Sequence, residues 1–496
     1  MTTVSKSHLI GTSAAALALA LVLLGPAPAH AASDGPLQSS TLLGGTASDQ
    51  AFAVAVDDAG ATFVAGATRS RDFPTTDKGA QRFFGGGLVD GFVAKLRPDR
   101  SGLECATFLG GSERDEVLAV ARDRAGFVYV AGSTQSPDFP TTPGALQRSF
   151  NGKNEAFVAK LDPSTCGLLW STLLGGGRDD VAQAIAVDED GYAYVAGFTQ
   201  SDDFPTTLAA FGTSFQGPPN LTFGDAFVAK VGADGGHLVY ATLLGGHEDD
   251  VAFGITVDAT GSVYVAGATR SDDYPSTPGV IQPAFAGGRD MVVTRLSADG
   301  TAVLYSTYLG GSADDVALGV AVDGAGAAHV TGFSESVDFP STRAASETLA
   351  NGLRDAVVAK LTPDGGRVEY ATVLGGENHD IGFAIGVDPA GAAHVVGMTL
   401  SRQFPTTSQS SRVAGRSAGD AFIAKLDQSG SHATYASVLG GEGSDAAFGV
   451  ALGPSGTVHV SGSTASREFA SSDAPDMAFR GEVDVFVVQL VLPGPP

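Results

Sequence analysis

The sequence predicts an all-β protein, a single seven-bladed β-propeller of four-stranded antiparallel blades. A Leu-Gly-Gly returns every 65 to 70 residues, which indicates a repeat array. The 67 glycines, with 17% charged and 43% hydrophobic residues, indicate many tight turns around short buried strands. The array also begins with a lone fourth strand and ends with a unit that lacks its fourth strand. The seven copies begin at Leu43, Leu109, Leu174, Leu244, Leu309, Leu374 and Leu439.

The N-terminus has the features of a secretory signal peptide. Lys6 precedes an apolar run over residues 9–24, and the small-residue site Ala-His-Ala follows at residues 29–31. The run is short for an uncleaved membrane anchor, and no later segment is long and apolar enough to cross a bilayer. We therefore expect a Sec-type signal peptide and a secreted or surface-associated mature chain. The predicted segments are the signal peptide 1–31, a linker 32–36, the propeller 37–491 and a C-terminal tail 492–496.

Each repeat is predicted to contain four strands, here called a, b, c and d in chain order. In the fourth repeat, strand a covers residues 250–258 and strand b covers residues 262–269, with a tight turn between them. Strand c covers residues 290–296 after a longer connection, and strand d covers residues 302–309 after a second tight turn. One such unit has too little core alone, whereas units stacked around an axis bury both sheet faces.

Strand a of the first unit also fits a propeller. Ala51, Ala53 and Ala55 alternate with the larger residues of the same strand. Because alternate residues of a strand point to opposite faces, this pattern predicts one face of small side chains. We expect that face where the blades crowd toward the axis.

The two ends of the array predict how the ring closes. Residues 37–43 form a d strand with no a, b or c strand before it, and residues 484–490 form a c strand with no d strand after it. We expect these two strands to pair, so that the seventh blade combines residues 445–491 with the N-terminal strand. This closure leaves no open blade edge for aggregation.

The acidic composition limits the expected partners. The formal net charge is −25 at pH 7, and removal of residues 1–31, which contain one basic residue and no acid, makes it −26. Such a chain should be repelled by phosphate backbones, so nucleic acid is not an expected partner. We expect a monomer whose ligand, if it has one, is an extracellular polysaccharide or protein.

The two cysteines could form a disulfide after export, because they would meet an oxidising compartment. Alignment of the repeats puts Cys105 at the place of Trp170 and Cys166 at the place of Ser101, which are non-equivalent positions in neighbouring units. Pairing requires Cα atoms within about 7 Å. The sequence therefore leaves the disulfide open.

Four recurring motifs carry a family resemblance: Asp-x-Ala-x-x-x-x-Val-Asp, Gly-x-x-Tyr-Val-Ala-Gly-x-Thr, Ser-x-Asp-Phe-Pro-Thr-Thr and Asp-Ala-Phe-Val-Ala-Lys-Leu. Together they resemble the bacterial SBBP repeat, named for a predicted seven-bladed β-propeller. The resemblance covers about residues 37–491 and is strongest over 115–175 and 180–245. It implies this fold and an exported protein, and it implies no defined activity. The last unit departs from the motifs at Gly453, Ala470 and Gln489, which replace an Asp, the Pro and the Lys.

Strand order places the d-to-a and b-to-c connections on one face of the ring, which we call the ligand face because it carries both longer loops. An aspartate follows every Leu-Gly-Gly there, and a ring of carboxylates suggests a Ca²⁺ site. At a ring radius of roughly 8 Å, however, these side chains stop short of the direct ligation distance of about 2.3–2.6 Å. We expect the aspartates to accept backbone N–H hydrogen bonds in the interblade turns, and we expect no cofactor. They are Asp49, Asp115, Asp180, Asp250, Asp315, Asp380 and Asp445.

Three histidines recur at one position of strand b. His329, His394 and His459 are 65 residues apart, and imidazoles are common zinc ligands. Equivalent positions in neighbouring blades should be roughly 10 Å apart, which is too far for one shared ion. We expect each histidine to pack in place of an aromatic ring. The other blades have Phe63, Tyr129, Tyr194 and Tyr264 at this position.

The 70-residue unit carries an insertion in its b-to-c loop, over residues 216–224. We expect Phe215, Pro218, Pro219 and Phe223 to be exposed there and to offer contacts to carbohydrate or peptide. The alternative is that the insertion is a tolerated surface loop without a role.

Motifs of catalysis and nucleotide binding give no lead. The sequence has no His-Glu-x-x-His, no P-loop and no Gly-x-Gly-x-x-Gly, and the Gly-Gly of the repeat is better interpreted as a bend between blades than as a phosphate cradle. We expect no catalytic residues and a binding or scaffold module that acts through the ligand face. The alternative is a propeller enzyme, a lyase or glycan hydrolase with its site at the channel mouth. An enzyme should have one or two blades with unique His, Glu or Tyr residues that converge.

Overall fold

The structure is a computed structural model. It describes residues 36–218, 221–342, 353–407, 419–469 and 479–492. The predicted signal peptide, most of the linker and nearly all of the C-terminal tail lie outside the described residues, as do Pro219 and Ala470.

The described chain forms seven antiparallel sheets, each with its strands in the order a-b-c-d. The a strands are β2 (Asp49–Val56), β6 (Asp115–Arg122), β10 (Asp180–Val187), β14 (Asp250–Val257), β18 (Asp315–Val322), β22 (Asp380–Val387) and β26 (Asp445–Leu452). The b strands are β3 (Thr62–Thr68), β7 (Val128–Thr134), β11 (Ala193–Thr199), β15 (Val263–Thr269), β19 (Ala328–Ser334), β23 (Ala393–Thr399) and β27 (Thr457–Thr464).

The c strands are β4 (Asp90–Leu96), β8 (Glu155–Leu161), β12 (Asp225–Val231), β16 (Asp290–Leu296), β20 (Asp355–Leu361), β24 (Asp420–Leu426) and β28 (Asp484–Val491). The d strands are β1 (Leu37–Leu43), β5 (Leu103–Leu109), β9 (Leu168–Leu174), β13 (Leu238–Leu244), β17 (Val303–Leu309), β21 (Val368–Leu374) and β25 (Ala433–Leu439). A short 3-10 turn, Pro454–Gly456, joins strands a and b of the last blade. The predicted all-β, seven-bladed fold is confirmed.

The N-terminal strand closes the ring as predicted. β1 pairs antiparallel with β28, with Thr41 opposite Val487 and Leu43 opposite Val485. The resulting sheet has the order β1-β28-β27-β26, so blade 7 combines both ends of the array. Blades 1 to 6 are each continuous in sequence.

A β-bulge in every a strand fills the ring axis. In blade 1 the pairing register shifts between Ala51 and Ala53, and the bulged residue, Phe52, joins a buried cluster with residues of all the other blades. Phe52 lies 6.1 Å from Phe448 between ring centroids, and Phe448 lies 5.0 Å from Phe383. We call the bulged residues the axial plug because they close the channel below the ligand face. They are Phe52, Leu118, Gln183, Phe253, Leu318, Phe383 and Phe448.

The residue after each bulge is small because neighbouring a strands approach closely there. A Cβ added to Gly319 would lie 3.3 Å from the Cα of Ala384 in the next blade, and one on Gly254 would lie 3.0 Å from the amide nitrogen of Val320. Ala53 occupies this position in blade 1. The predicted crowding of small residues is thus present at Ala53. The bulge interrupts the alternation, however, so that the large Phe52 points to the axis.

The b-to-c loop does not remain on the ligand face, which corrects the predicted face assignment. It leaves and rejoins that face, but in between it runs along the outer edge of strand d in the same blade. In blade 1, the Thr76 amide donates to the Ala106 carbonyl at 3.0 Å, and the Phe108 amide donates to the Gln81 carbonyl at 3.0 Å. The loop therefore covers an edge that would otherwise be open to intermolecular pairing.

The outer ends of neighbouring blades meet through an aromatic ring and a glycine. In blades 2 to 6, the c-to-d turn contains a residue with positive φ that contacts a side chain of strand d in the preceding blade. A Cβ on Gly235 (φ +70°) would lie 2.5 Å from the Trp170 ring, and one on Gly300 (φ +69°) would lie 2.4 Å from the Tyr240 ring. Glycine is required at this position both for its conformation and for lack of space. Two further pairs of this kind are Gly365 with Tyr305 and Gly430 with Tyr370.

A disulfide replaces this contact between blades 1 and 2. Cys105 and Cys166 are bonded, with Cα atoms 5.6 Å apart, and both are buried. Cys105 occupies the aromatic position, and Cys166 (φ +56°) occupies the glycine position. The two turns are equally long, residues 97–102 and 162–167, so Cys166 aligns with Ser101 as the repeats indicated. The positive-φ residue comes one place earlier in blade 1, at Arg100, because the Arg100 amide donates to the carbonyl three residues back and the Cys166 amide to the carbonyl four residues back. The two cysteines stand at different repeat positions because one belongs to strand d and the other to the turn of the next blade that contacts it.

Removal of the N-terminal strand should open the ring. Deletion of residues 37–45 should expose the outer edge of β28 and lower the midpoint of thermal unfolding or cause aggregation. Addition of a synthetic peptide of residues 37–45 should restore the midpoint, which separates loss of pairing from general damage. Calorimetry and light scattering measure both effects. A truncated protein that melts like the mature chain and stays monomeric would contradict shared closure.

The disulfide should contribute measurably to stability. In the chain-entropy description, a cross-link over 61 residues contributes about 4 kcal/mol at most, so Cys105→Ser with Cys166→Ser should lower the free energy of unfolding in denaturant titrations by up to that amount. Cys105→Tyr with Cys166→Gly rebuilds the contact seen at four other junctions and should recover most of the loss. Its stability should not respond to reducing agent. Equal loss in both double variants would show that the aromatic contact cannot replace the covalent bond.

Candidate functional site

The seven repeated aspartates lie at the start of each a strand, and all are buried with at most 1% exposure. In blade 1 the Gly45 amide and the Ser70 hydroxyl each donate to Asp49 Oδ2 at 2.8 Å, and the Thr68 hydroxyl donates to Asp49 Oδ1. The other blades repeat the amide bond, for example from Gly111 to Asp115 at 2.7 Å. The predicted backbone hydrogen bonds are therefore present. Because these carboxylates face inward, they support the ligand face and do not present oxygens on it.

Each aspartate has a second carboxyl group beside it, the first residue of strand c in the preceding blade, which is buried in every pair except that of the half-buried Asp420. A Cβ on Gly310 would lie 2.5 Å from Asp290 Oδ1 and 2.8 Å from Asp315 Oδ2. The first glycine of Leu-Gly-Gly therefore passes over two carboxyl groups, and any side chain there would collide with them. The glycine is needed for space, since its φ is not positive. We call these seven sets the carboxyl pairs: Asp484/Asp49, Asp90/Asp115, Glu155/Asp180, Asp225/Asp250, Asp290/Asp315, Asp355/Asp380 and Asp420/Asp445.

Burial raises the pKa of these carboxyl groups. Desolvation is the largest cause, and in the pair Asp290/Asp315 the neighbouring negative charge raises the pKa of Asp290 further. Hydrogen bonds from the amides and hydroxyls act in the opposite direction and only partly offset the burial. The pKa is raised to about 6 for Asp49, Asp115, Asp225 and Asp445. It is raised to about 7 for Asp90, Asp180, Asp250, Asp290 and Asp420.

The aromatic residues of the blade 3 insertion are not exposed as predicted. Phe223 is 4% exposed and packs in the axial cluster, with ring centroids 5.3 Å from Phe198 and 6.4 Å from Phe253. Its burial follows from the Asp249 carboxylate, which accepts the Phe223 amide at 2.7 Å and folds the loop end inward. Phe215 is half-buried against the blade core. Of the four predicted contact residues, Pro218 is exposed and Pro219 lies outside the described residues.

The three histidines of strand b pack inside their blades, as expected for aromatic substitutes. His329 contacts the Tyr370 hydroxyl at 3.1 Å and Asp323 at 3.3 Å, and His394 contacts Asp388 at 3.2 Å. Burial lowers the pKa of all three, to about 4 for His459, which lies 2.8 Å from the Arg100 guanidinium. Within the ranges that the structure covers, no three His, Cys, Asp or Glu side chains are placed to share a metal ion.

The mouth of the channel on the ligand face is asymmetric. Three positions per junction surround it: the residue after strand b, the residue before strand c and the residue before strand a. Arginines hold five of these positions, which the sequence analysis did not single out: Arg69 and Arg114 around blades 1 and 2, and three more around blades 4 and 5. We call Arg270, Arg289 and Arg354 the arginine arc. The residues before the other c strands are Val89, Asn154, Gly224, Gly419 and Val483.

Stability should increase as the pH falls from 8 to 5, because nine buried aspartates have a folded-state pKa of about 6 to 7. A carboxyl group whose pKa is raised on folding contributes stability that is fully present below its unfolded pKa, near 3.8, and is lost as the pH rises through its folded pKa. The buried histidines have lowered pKa values and act in the opposite direction below about pH 6.5, but they are fewer. Thermal unfolding at pH 5 and pH 8 measures the net effect.

One carboxyl pair can be isolated with Asp290→Asn. The amide resembles the protonated acid and can donate toward Asp315, so it should raise the free energy of unfolding at pH 8 by about 1–3 kcal/mol and flatten the pH profile. Asp77→Asn is the control, since its side chain is 85% exposed. A midpoint that falls from pH 8 to pH 5, or an Asp290→Asn variant that is destabilised at pH 8, would show that the pairs are not held protonated.

Comparison with known proteins agrees with the repeat and the fold. Residues 169–205 and 239–275 match the family model of the SBBP β-propeller repeat. The chain is 26% identical over 425 residues to the regulatory protein FlaEY of Caulobacter vibrioides, a match that covers 81% of this chain. It spans 42% of the length of that protein.

Two solved structures are similar in outline. One is a protein of unknown function from Dyadobacter fermentans, with a TM-score of 0.41, 11% identity and coverage of 92% of this chain and 98% of that chain. The other is an ulvan lyase of a new polysaccharide lyase family bound to a sugar ligand, with a TM-score of 0.42, 10% identity and coverage of 86% and 92%. Scores this low support no argument about function. The chain is thus a seven-bladed β-propeller in which two segments match the SBBP β-propeller repeat.

Proposed function

We propose that the protein is an exported binding or scaffold module that captures an extracellular polysaccharide or protein as a monomer through its ligand face. The observation that carries this proposal is the shape of that face. The side chains of the axial plug pack together at the ring axis beneath it, so a large partner would meet a surface and not an open channel. The opposite face consists of short turns with little reach.

Exposed apolar side chains at the rim support binding on this face. Leu88 is 80% exposed and Leu353 is 67% exposed, and each lies two residues before a c strand, at the return of a b-to-c loop. A partner that covered these side chains would remove their apolar surface from water, which would favour binding. Pro218, exposed in the blade 3 insertion, adds a third point on the rim.

Export is supported by the signal-like sequence of residues 1–31 and by the buried disulfide, because such bonds persist in oxidising compartments. Among the described residues, no helix has the length and apolar character of a membrane span. The enzyme alternative predicts converging His, Glu or Tyr side chains, and Glu335 and His379, which both adjoin Arg354, are the residues that it would use.

A screen of the purified mature chain against cell-wall polysaccharides and extracellular-matrix proteins tests the proposal. For a partner found there, Leu88→Glu with Leu353→Glu should weaken capture at least about tenfold, equal to 1.4 kcal/mol, because charge replaces apolar contact. Removal of residues 217–221 gives the blade 3 loop the length of its blade 2 counterpart and should also weaken capture. Phe223 is kept so that the axial cluster stays intact.

The matched control is Leu169→Glu with Leu304→Glu. These leucines are 47% and 51% exposed and lie at the starts of d strands, toward the opposite face. Capture that is unchanged by the rim variants and lost in the control would reverse the face assignment. Secretion of the full chain into the medium, and its loss when residues 9–24 are made polar, tests export separately.

A further inference from the structure

The arginine arc brings three guanidinium groups to one side of the channel mouth. The backbone fixes their positions: the Arg270 amide donates to the Asp249 carbonyl at 2.9 Å, and Arg289 and Arg354 form parallel bridges with Asp314 and His379. Burial lowers the pKa of Arg289, and the positive charges of Arg270 and Arg354 lower it further. Three like charges are thus held together by the strands that carry them.

One member of the arc has no carboxylate partner. Within the part of the chain that the structure describes, Arg289 makes no ion pair within 4 Å, although it is half-buried. Arg354 Nε donates to Glu335 Oε1 at 2.5 Å, which fixes that guanidinium. The neighbouring His379 is half-buried, and its Nδ1 has no hydrogen-bond partner among the described residues. The His379 Nδ1 is buried, so the group at the arc that lacks the hydrogen bonds of an anionic ligand is the half-buried Arg289 guanidinium.

Two members of the arginine arc lie over phenylalanine rings. The Arg289 guanidinium is 5.9 Å from the centroid of the Phe223 ring, and the Arg354 guanidinium is 4.7 Å from that of Phe333. Both rings belong to the axial cluster and are buried. Stacking on aromatic rings orients a guanidinium and leaves its N–H edge free for a planar, bidentate partner.

The surrounding charge selects the kind of anion. Asp249, Asp314 and Glu335 lie at the same mouth and balance the three arginines, and Asp249 is already engaged by the Phe223 amide. The whole chain carries a formal charge of −25. A locally neutral site in an acidic protein disfavours a phosphate dianion or a polyanion, whereas a single carboxylate can pair with Arg289 against little repulsion.

We propose that the arginine arc is a carboxylate-binding site, in which Arg289 and Arg354 hold the carboxylate of a ligand and His379 lies at its edge. This inference rests on the proposed binding function and names the chemical group that the ligand face recognises. The carboxylate could belong to an acidic sugar or to a peptide C-terminus. The two sources share this chemistry and are distinguished by the test.

The probes are sodium glucuronate and N-acetylalanine, each compared with its uncharged counterpart, methyl glucoside or N-acetylalanine amide. Titration followed by ligand-observed NMR should show saturable binding of at least one acid and none of its counterpart. Arg289→Gln and Arg354→Gln should each weaken that binding at least about tenfold, equal to 1.4 kcal/mol, and Arg289→Lys should retain part of it because it keeps the charge and loses the bidentate geometry. Arg124→Gln is the matched control, since this arginine is 80% exposed beside Glu189, away from the mouth.

The preferred acid identifies the source: glucuronate indicates an acidic glycan, and N-acetylalanine indicates a peptide terminus. Absence of saturable binding by both acids, or binding that persists in Arg289→Gln and Arg354→Gln proteins that melt like the parent, would overturn the inference. The arc variants are then placed in the partner screen. Capture that is lost in the Leu88/Leu353 variant and kept in the arc variants would overturn the carboxylate site while leaving the binding function in place.

Discussion

The crossing of each Leu-Gly-Gly over a buried carboxyl pair is the interaction on which the ring depends. The connection from one blade to the next must pass above two acidic side chains, and it can do so only because the first glycine has no Cβ. One carboxyl group belongs to strand c of the blade that the chain leaves, and the other belongs to strand a of the blade that it enters. The pair thus joins consecutive sheets at their upper ends through hydrogen bonds to backbone amides and hydroxyls, in a region from which water is excluded.

A different contact joins the outer ends of neighbouring blades. This contact varies between junctions, and at one junction it is replaced by the disulfide. A ring on strand d lies against a residue of positive φ in the next blade, a pairing that needs glycine in four junctions. Cysteine at both positions converts the contact into a covalent bond without changing the backbone path. At the junction of blades 7 and 1, Ser39 occupies the aromatic position. Arg100 occupies the glycine position there and extends to Thr62 and His459.

Much of the fold could be predicted because its signals are periodic. The strand boundaries of blade 4 are within one residue of prediction, and the complementary ends gave the correct closure. The face assignment was only partly right, because nothing in the alternation of residues shows that a loop folds down along its own blade. Phe223 was expected to be exposed because an aromatic residue in an insertion has no repeat counterpart. Its inward turn depends on Asp249, which belongs to the next blade.

The candidate site was missed for a related reason. The strongest sequence signals are positions that recur, such as the seven aspartates, and these are buried structural groups. The members of the arginine arc stand at repeat positions that hold other residue types in most blades, and they are far apart in sequence. Reading the residue before each c strand across all blades would have separated Arg289 and Arg354 from the rest. The stacking of these arginines on the axial cluster, however, depends on tertiary contacts that no local pattern encodes.

The axial plug also limits how this gene could lengthen or shorten. A change in the number of blades would change the radius of the ring around the plug. An eighth copy would widen the ring and leave a void among the phenylalanines, and each missing contact of this kind destabilises a packed interior. A sixfold ring would force the same side chains into overlap. The bulged residue of strand a therefore holds the copy number at seven, so that divergence is confined to substitutions and loop insertions within a fixed set of blades.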